Sequence, residues 1–161
     1  MSLLIFYYSY LYLLFKNILN EHSNTISSLL INENNELISG SYDSKIIIWN
    51  IEYSKSKFTF YDDTDGFRSI VVNSINMNQL ISGSSNGIIK YWNMITGEVE
   101  KLIKAHQYGI YALIINKNEK LISGADDGQI KIWDLESGEL IRILVGHSNC
   151  VTSLISNEDN I

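Results

Sequence analysis

Histidine, serine and aspartate recur in this chain at fixed offsets. His22, Ser39 and Asp43 form one set, and His106, Ser123 and Asp127 form a second with the same intervals of 17 and 4 residues. These three types suggest nucleophilic catalysis, in which a histidine takes the serine proton and a carboxylate orients the ring. Two features oppose that reading. The set is repeated, and each serine is followed ten residues later by a tryptophan, Trp49 or Trp133, whose indole N–H needs an acceptor. A serine engaged by an indole is a link in a chain of hydrogen bonds, not a nucleophile.

Other chemical signals are weaker. Gly83-Ser84-Ser85-Asn86-Gly87 matches G-x-S-x-G, but that motif needs a strand-to-helix elbow and here falls between two strand-like runs. Asp62-Asp63-Thr64-Asp65-Gly66 hints at calcium, yet Tyr61 and Val72 stand where an EF-hand loop needs Asp and Glu. Cys150, the single cysteine, lies three residues after His147, too sparse a grouping for a metal. No catalytic residue, metal or cofactor is expected.

The elements that position these residues repeat as well. LISGSYDSKIIIW at 37–49, LISGSSNGIIKYW at 80–92 and LISGADDGQIKIW at 121–133 are three copies of one stretch. Trp49, Trp92 and Trp133 lie 43 and 41 residues apart, as do Gly40, Gly83 and Gly124, and His147 follows His106 by 41. A period near 40–45 residues with four short strands per unit is the pattern of a propeller blade. In the third copy the strands are expected at 110–115, 120–124, 129–134 and 139–144, with turns at 116–119, 126–128 and Ser137-Gly138. Asp127-Gly128 fits a two-residue hairpin, which demands positive φ. The first copy should run from Ile26 to about Phe60 and the second from about Ser69 to Lys104.

The motifs resemble the WD40 family. Gly146-His147 and Trp133-Asp134 match its signature literally, and Trp49-Asn50 and Trp92-Asn93 nearly so. The resemblance covers roughly residues 20–161 and implies an all-β chain of WD40-type β-propeller blades. It implies that His22, Ser39, Asp43 and Trp49, and likewise His106, Ser123, Asp127 and Trp133, are structural tetrads holding their blades. The second copy departs: Asp65 is read into the histidine position and Asn86 into the aspartate position, giving a rewired tetrad of Asp65, Ser82, Asn86 and Trp92 or no tetrad at all. His147 opens a further copy. The resemblance also implies a peptide- or protein-binding rim. Its positions here are Thr25, Ser27 and Tyr42; Arg68, Ile70 and Ser85; Gly109, Tyr111 and Asp126; then Cys150 and Thr152. Tyr42, Arg68 and Tyr111 are the candidate anchors, because Tyr and Arg are enriched at binding hot spots.

On this reading the chain divides into 1–20, the apolar strands of a degenerate preceding blade or a targeting segment; 21–61, 62–104 and 105–146, three repeats; and 147–161, the truncated start of a fourth. Residues 3–15, LLIFYYSYLYLLF, lack the preceding positive charge of a signal peptide and fall short of the roughly 20 apolar residues of a membrane span. Tyr8 falls in a tryptophan slot, 14 residues before His22. Val151 to Ile155 would be a first strand. About three complete blades make an open arc rather than a closed ring, since closed propellers use about 4–8 blades.

The formal charge of −6 and the absence of a Lys/Arg run oppose a nucleic-acid partner. The expectation is an intracellular or cytoplasmic scaffold, not an enzyme, that binds a protein or peptide and has no membrane partner. Two alternatives stand beside it. One is a truncated propeller fragment acting only within an oligomer, through self-association of open strand edges. The other is a propeller-based enzyme, which would need ligands or catalytic groups outside the tetrad positions.

Overall fold

In a computed structural model, residues 18–62 and 66–156 are described. The 3–15 run, with Tyr8, and the Asp63-Thr64-Asp65 segment lie outside the described residues. β-Branched and aromatic residues between Asn-, Asp- and Gly-bearing turns favour short strands, and the described chain forms three antiparallel sheets. Strands β1 (Ile26–Ile31), β2 (Leu37–Ser41), β3 (Lys45–Asn50) and β4 (Lys55–Tyr61) make the first blade. Strands β5 (Phe67–Val72), β6 (Gln79–Ser84), β7 (Ile88–Asn93) and β8 (Val99–Lys104) make the second. Strands β9 (Ile110–Ile115), β10 (Lys120–Ala125), β11 (Gln129–Asp134) and β12 (Leu140–Val145) make the third. Each blade is a meander with its strands in chain order.

Blades stack in sequence. β5 packs on β1 and β2, and β9 packs on β5 and β6. Ile38, Ile46, Phe60, Phe67, Leu80 and Trp92 fill the space between the first two blades. Ile81, Ile89, Tyr91, Ile110, Leu121 and Trp133 fill the second interface. Middle strands are covered on both faces, so Ile46-Ile47-Ile48-Trp49 is buried without alternation. The glycine of each LISG copy makes these approaches close: a Cβ on Gly83 would sit 2.8 Å from Ile110 Cγ2, and one on Gly124 would sit 2.6 Å from Val151 Cγ1. Serines also bridge blades, the Ser28 hydroxyl accepting from Ile70 N–H at 3.2 Å and the Ser69 hydroxyl from Leu113 N–H at 2.9 Å.

The outer faces differ. Leu29 and Ile31 on β1, and every residue of β12, are exposed. Among the described residues the sheets therefore form an open arc of three blades. Here too, no helix is long and apolar enough to cross a membrane.

Three local expectations need correction. The hairpin from β2 to β3, and its two counterparts, has three residues, and only the last has positive φ: Ser44, Gly87 or Gly128, at 64°, 79° and 72°. The extra residue lets an ordinary turn precede the left-handed one, so Asp43 and Asp127 stay at negative φ with their carboxylates free to bond. Val151 to Ile155 forms no strand, because no second strand is present among the described residues to pair with it. Val151 is nevertheless buried, and its N–H donates to Ala125 C=O at 2.9 Å. Finally, the second repeat's first strand begins at Phe67, two residues before the expected Ser69, which shifts that repeat's register at the site.

Candidate functional site: the tetrads and the rim

In the first blade, Trp49 Nε1–H donates to Ser39 Oγ at 2.7 Å. His22 places Nε2 2.6 Å from that oxygen and Nδ1 2.9 Å from Asp43 Oδ2. The third blade repeats this with Trp133 and Ser123 at 2.9 Å, Ser123 and His106 at 2.7 Å, and His106 and Asp127 at 2.9 Å. A neutral histidine protonated on Nδ1 satisfies every member: indole to hydroxyl, hydroxyl to Nε2, and Nδ1–H to carboxylate. The turn then fixes the carboxylate, since Lys45 N–H donates to Asp43 and Gln129 N–H to Asp127, each at 3.0 Å.

Electrostatics follow from that arrangement. Burial lowers the His106 pKa and outweighs the opposing pull of Asp127. Burial alone would raise Asp127, but the His106 hydrogen bond, the Gln129 N–H and the charges of His106 and Lys131 hold it below the usual carboxylate range. Asp43 is likewise low because the Ser23 N–H, His22 and Ser41 outweigh burial. The serines have the donors and acceptors of a triad, yet Ser39 and Ser123 are buried and hold an indole N–H. No substrate can approach either hydroxyl.

The second blade keeps only the first link, Trp92 Nε1–H to Ser82 Oγ at 2.8 Å. The register places Gly66, not Arg68, in the position of Thr25 and Gly109. Tyr42 N–H donates to Thr25 C=O, Ser85 N–H to Gly66 C=O, and Asp126 N–H to Gly109 C=O, at 3.0, 3.0 and 2.9 Å. Asp65, expected in the histidine slot, lies outside the described residues. Asn86 is exposed, and its Oδ1 accepts from the Ser84 hydroxyl at 2.5 Å. Beside it, Lys90 reaches the buried Asp62 carboxylate at 2.7 Å. The matching Lys131 donates to Ala105 C=O at 2.7 Å.

The same correction reorders the rim. Each blade's first strand carries one extra residue against the second: Ser27 between Ile26 and Ser28, Arg68 between Phe67 and Ser69, and Tyr111 between Ile110 and Ala112. A bulge turns its side chain out of the ladder, so these three are equivalent rim residues. Ile70 is not on the rim. It is buried against Gly40 between blades, where Leu113 stands in the next blade.

Arg68 lies at the centre of this rim. Its Cζ is 4.4 Å from the Tyr111 ring centroid and 5.2 Å from that of Tyr42. Its Nε–H donates to Ser85 Oγ at 3.0 Å, and Nη1 approaches the Tyr42 hydroxyl at 3.4 Å. The Ser85 hydroxyl donates to Gly66 C=O at 3.1 Å. Gly109 lies beneath, where a Cβ would be 2.9 Å from Arg68 Nε. All three blades thus meet at one guanidinium. Ser27 instead turns inward, its hydroxyl near Gly40 C=O and 2.5 Å from Phe67 C=O. Thr25, Asp126, Thr152 and the His147 ring are exposed, and Cys150 is partly buried. Spacing alone missed the bulges and the Gly66 and Gly109 contacts; the offset between Ser27, Arg68 and Tyr111, 41 and 43 residues, was the available signal.

The sequence profile described as "WD domain, G-beta repeat" matches residues 14–50 and 97–134. The computationally designed protein Ika4 is 30% identical, with TM-score 0.75 over 88% of this chain and 85% of that one. The WD40 β-propeller domain of Doa1 is 25% identical with TM-score 0.76, over 84% of this chain and 45% of that one. Protein SOF1 of Saccharomyces cerevisiae (strain ATCC 204508 / S288c) is 46% identical over 50 residues, 31% of this chain and 10% of that protein. This chain belongs to the WD40-repeat family, whose propellers generally mediate protein interactions and typically are not enzymes. It spans under half of the Doa1 chain and a tenth of SOF1.

Proposed function

We propose that this chain is a non-enzymatic WD40-type scaffold that binds a peptide or protein partner on the rim around Tyr42, Arg68, Ser85 and Tyr111. One observation carries the reading: three blades each contribute a side chain to one partly exposed Tyr–Arg–Tyr group. Aromatic and arginine side chains held in place make efficient anchors because little side-chain entropy is lost on binding. The tetrads support the non-enzymatic part, since His22 and His106 each have both ring nitrogens engaged. Chemical cross-linking from a photoreactive residue placed at Thr25 or Asp126 tests the proposal. Partner adducts should form there and fall at least tenfold in a Tyr42→Ala/Tyr111→Ala variant that melts as a folded protein. Adducts unchanged by that variant would place binding elsewhere.

A second reading rests on the exposed apolar residues Leu140, Ile141, Ile143 and Leu144 of β12. Strand edges of this kind recruit other chains. Light scattering that shows a stable monomer at high concentration would dismiss self-association.

A further inference from the structure

The geometry points to a carboxylate-binding site at Arg68, specific for an Asp or Glu side chain of a partner peptide. This inference rests on the rim-binding reading above and adds the chemistry of the partner. The guanidinium is fixed by four contacts: stacking on Tyr111 and Tyr42, Nε–H on Ser85, and Nη1 beside the Tyr42 hydroxyl. Those contacts take Nε and one N–H of Nη1. Among the described residues no acceptor bonds Nη2, and no carboxylate pairs with Arg68. Nη2 and the second N–H of Nη1 are therefore not taken by described protein groups, and a guanidinium with such donors to offer suits the two oxygens of a carboxylate.

The surrounding charge selects one negative charge rather than two. Thr25, Ser27, Tyr42, Ser85, Gly109 and Tyr111 are uncharged, and Asp126, in the turn after β10, bonds through its N–H to Gly109 C=O and brings a negative charge to this side of the rim. A phosphate group would bring nearly two negative charges to one guanidinium beside that aspartate. A carboxylate brings one. The two tyrosine rings, with centroids 4.4 and 5.2 Å from Cζ, also displace some of the water around the guanidinium, which strengthens a charge-assisted bond to it.

The test is a peptide array with random flanks and one fixed central residue: Glu, Gln, phosphoserine or Lys. It is probed with the unmodified chain, Arg68→Gln and Arg68→Lys. Glu should be retained about tenfold better than Gln, with phosphoserine no better than Glu. Arg68→Gln should abolish the difference between Glu and Gln, and Arg68→Lys should reduce it, since an ammonium lacks the planar edge. Equal binding of Glu and Gln would overturn the carboxylate site while leaving rim binding intact. Phosphoserine bound well above Glu would overturn the single-charge assignment. Binding at no central residue would defeat both this inference and the reading beneath it. Because Arg68 also ties blades together, a second measurement avoids mutation. The Arg68 Nε–Hε NMR resonance of the unmodified chain should shift on titration with a Glu-centred peptide that binds on the array. It should not shift with the Gln counterpart, and equal shifts would overturn the site.

Discussion

Ile110 Cγ2 lies where a Cβ on Gly83 would come within 2.8 Å, and the next blade's equivalent, Val151 Cγ1, lies within 2.6 Å of the same position on Gly124. The blade spacing is thus set by the missing side chain of the LISG glycine and the branched residue of the following repeat. Gly40 is looser, its nearest neighbours being Ile70 Cγ2 at 3.3 Å and Phe67 Cβ at 3.4 Å. None of the three glycines has positive φ, so an alanine meets only steric resistance.

Alanine substitution should therefore separate these sites. Gly83→Ala forces Ile110 and β9 to move and should destabilise by about 1–3 kcal/mol, the usual range for overpacking. Gly40→Ala meets a contact that can give by tenths of an ångström, and alanine reduces unfolded-chain entropy by about 0.4–1 kcal/mol. That variant should lie within about 1 kcal/mol of the parent. Urea midpoints of the two variants check the order; a larger loss at Gly40 would show that the interfaces are not spaced this way.

The Tyr91 hydroxyl is buried without a hydrogen-bond partner among the described residues. Burial and the nearby Asp134 charge push its pKa up to about 12. Removing an unpaired buried hydroxyl lifts a desolvation cost of about 1–3 kcal/mol. Tyr91→Phe keeps the ring packed in the second interface and should be neutral or up to about 1 kcal/mol stabilising. A loss above about 1 kcal/mol in chemical denaturation would mean the hydroxyl is satisfied.

How far the fold was readable depends on which physical signal each part carries. Turn residues and the Ser, Asp and Trp of the third copy mark its strands, which therefore lie within a residue of their expected bounds. The second repeat lacks a histidine to mark its start, so spacing puts its first strand two residues late, whereas the backbone pair of Ser85 and Gly66 fixes its register. The same offset puts Ile70 on the rim in the sequence reading, whereas the structure buries it between blades. The bulges at Ser27, Arg68 and Tyr111 have no residue type in common, because a bulge depends on ladder register and not on composition. The cross-blade serines Ser28 and Ser69 were equally unmarked, being one serine among many.

Stability should fall on acidification in two stages. Burial holds the His106 pKa below its ordinary value of about 6.5. As pH drops through that ordinary value, the unfolded chain takes up a proton that the folded one resists, so stability declines until the folded value is passed. Asp127 and Asp43 sit below the usual carboxylate range. Their contributions are present above that range and are lost as pH falls through it to their folded values. Urea midpoints should drop between pH 7.5 and 5.5, then again below about 4. His106→Gln should start lower but show a smaller change over the first interval; an undiminished change would assign that step to another group.

Lys90 and Lys131 occupy equivalent positions with different partners, which makes a controlled comparison. Lys90 pairs with the buried Asp62 carboxylate at 2.7 Å, the two side chains being 13% and 1% exposed. Lys131 donates to the Ala105 carbonyl, a neutral acceptor. Removing one member of a buried ion pair costs about 3–5 kcal/mol. Removing a donor from a carbonyl costs about 1–3 kcal/mol. Urea denaturation of Lys90→Met and Lys131→Met should therefore show the former to be the more damaging by about 2 kcal/mol. Equal losses in the two variants would mean that the ion pair is not what makes Lys90 important, and that its place beside Trp92, whose ring centroid is 5.7 Å from Nζ, carries the effect instead.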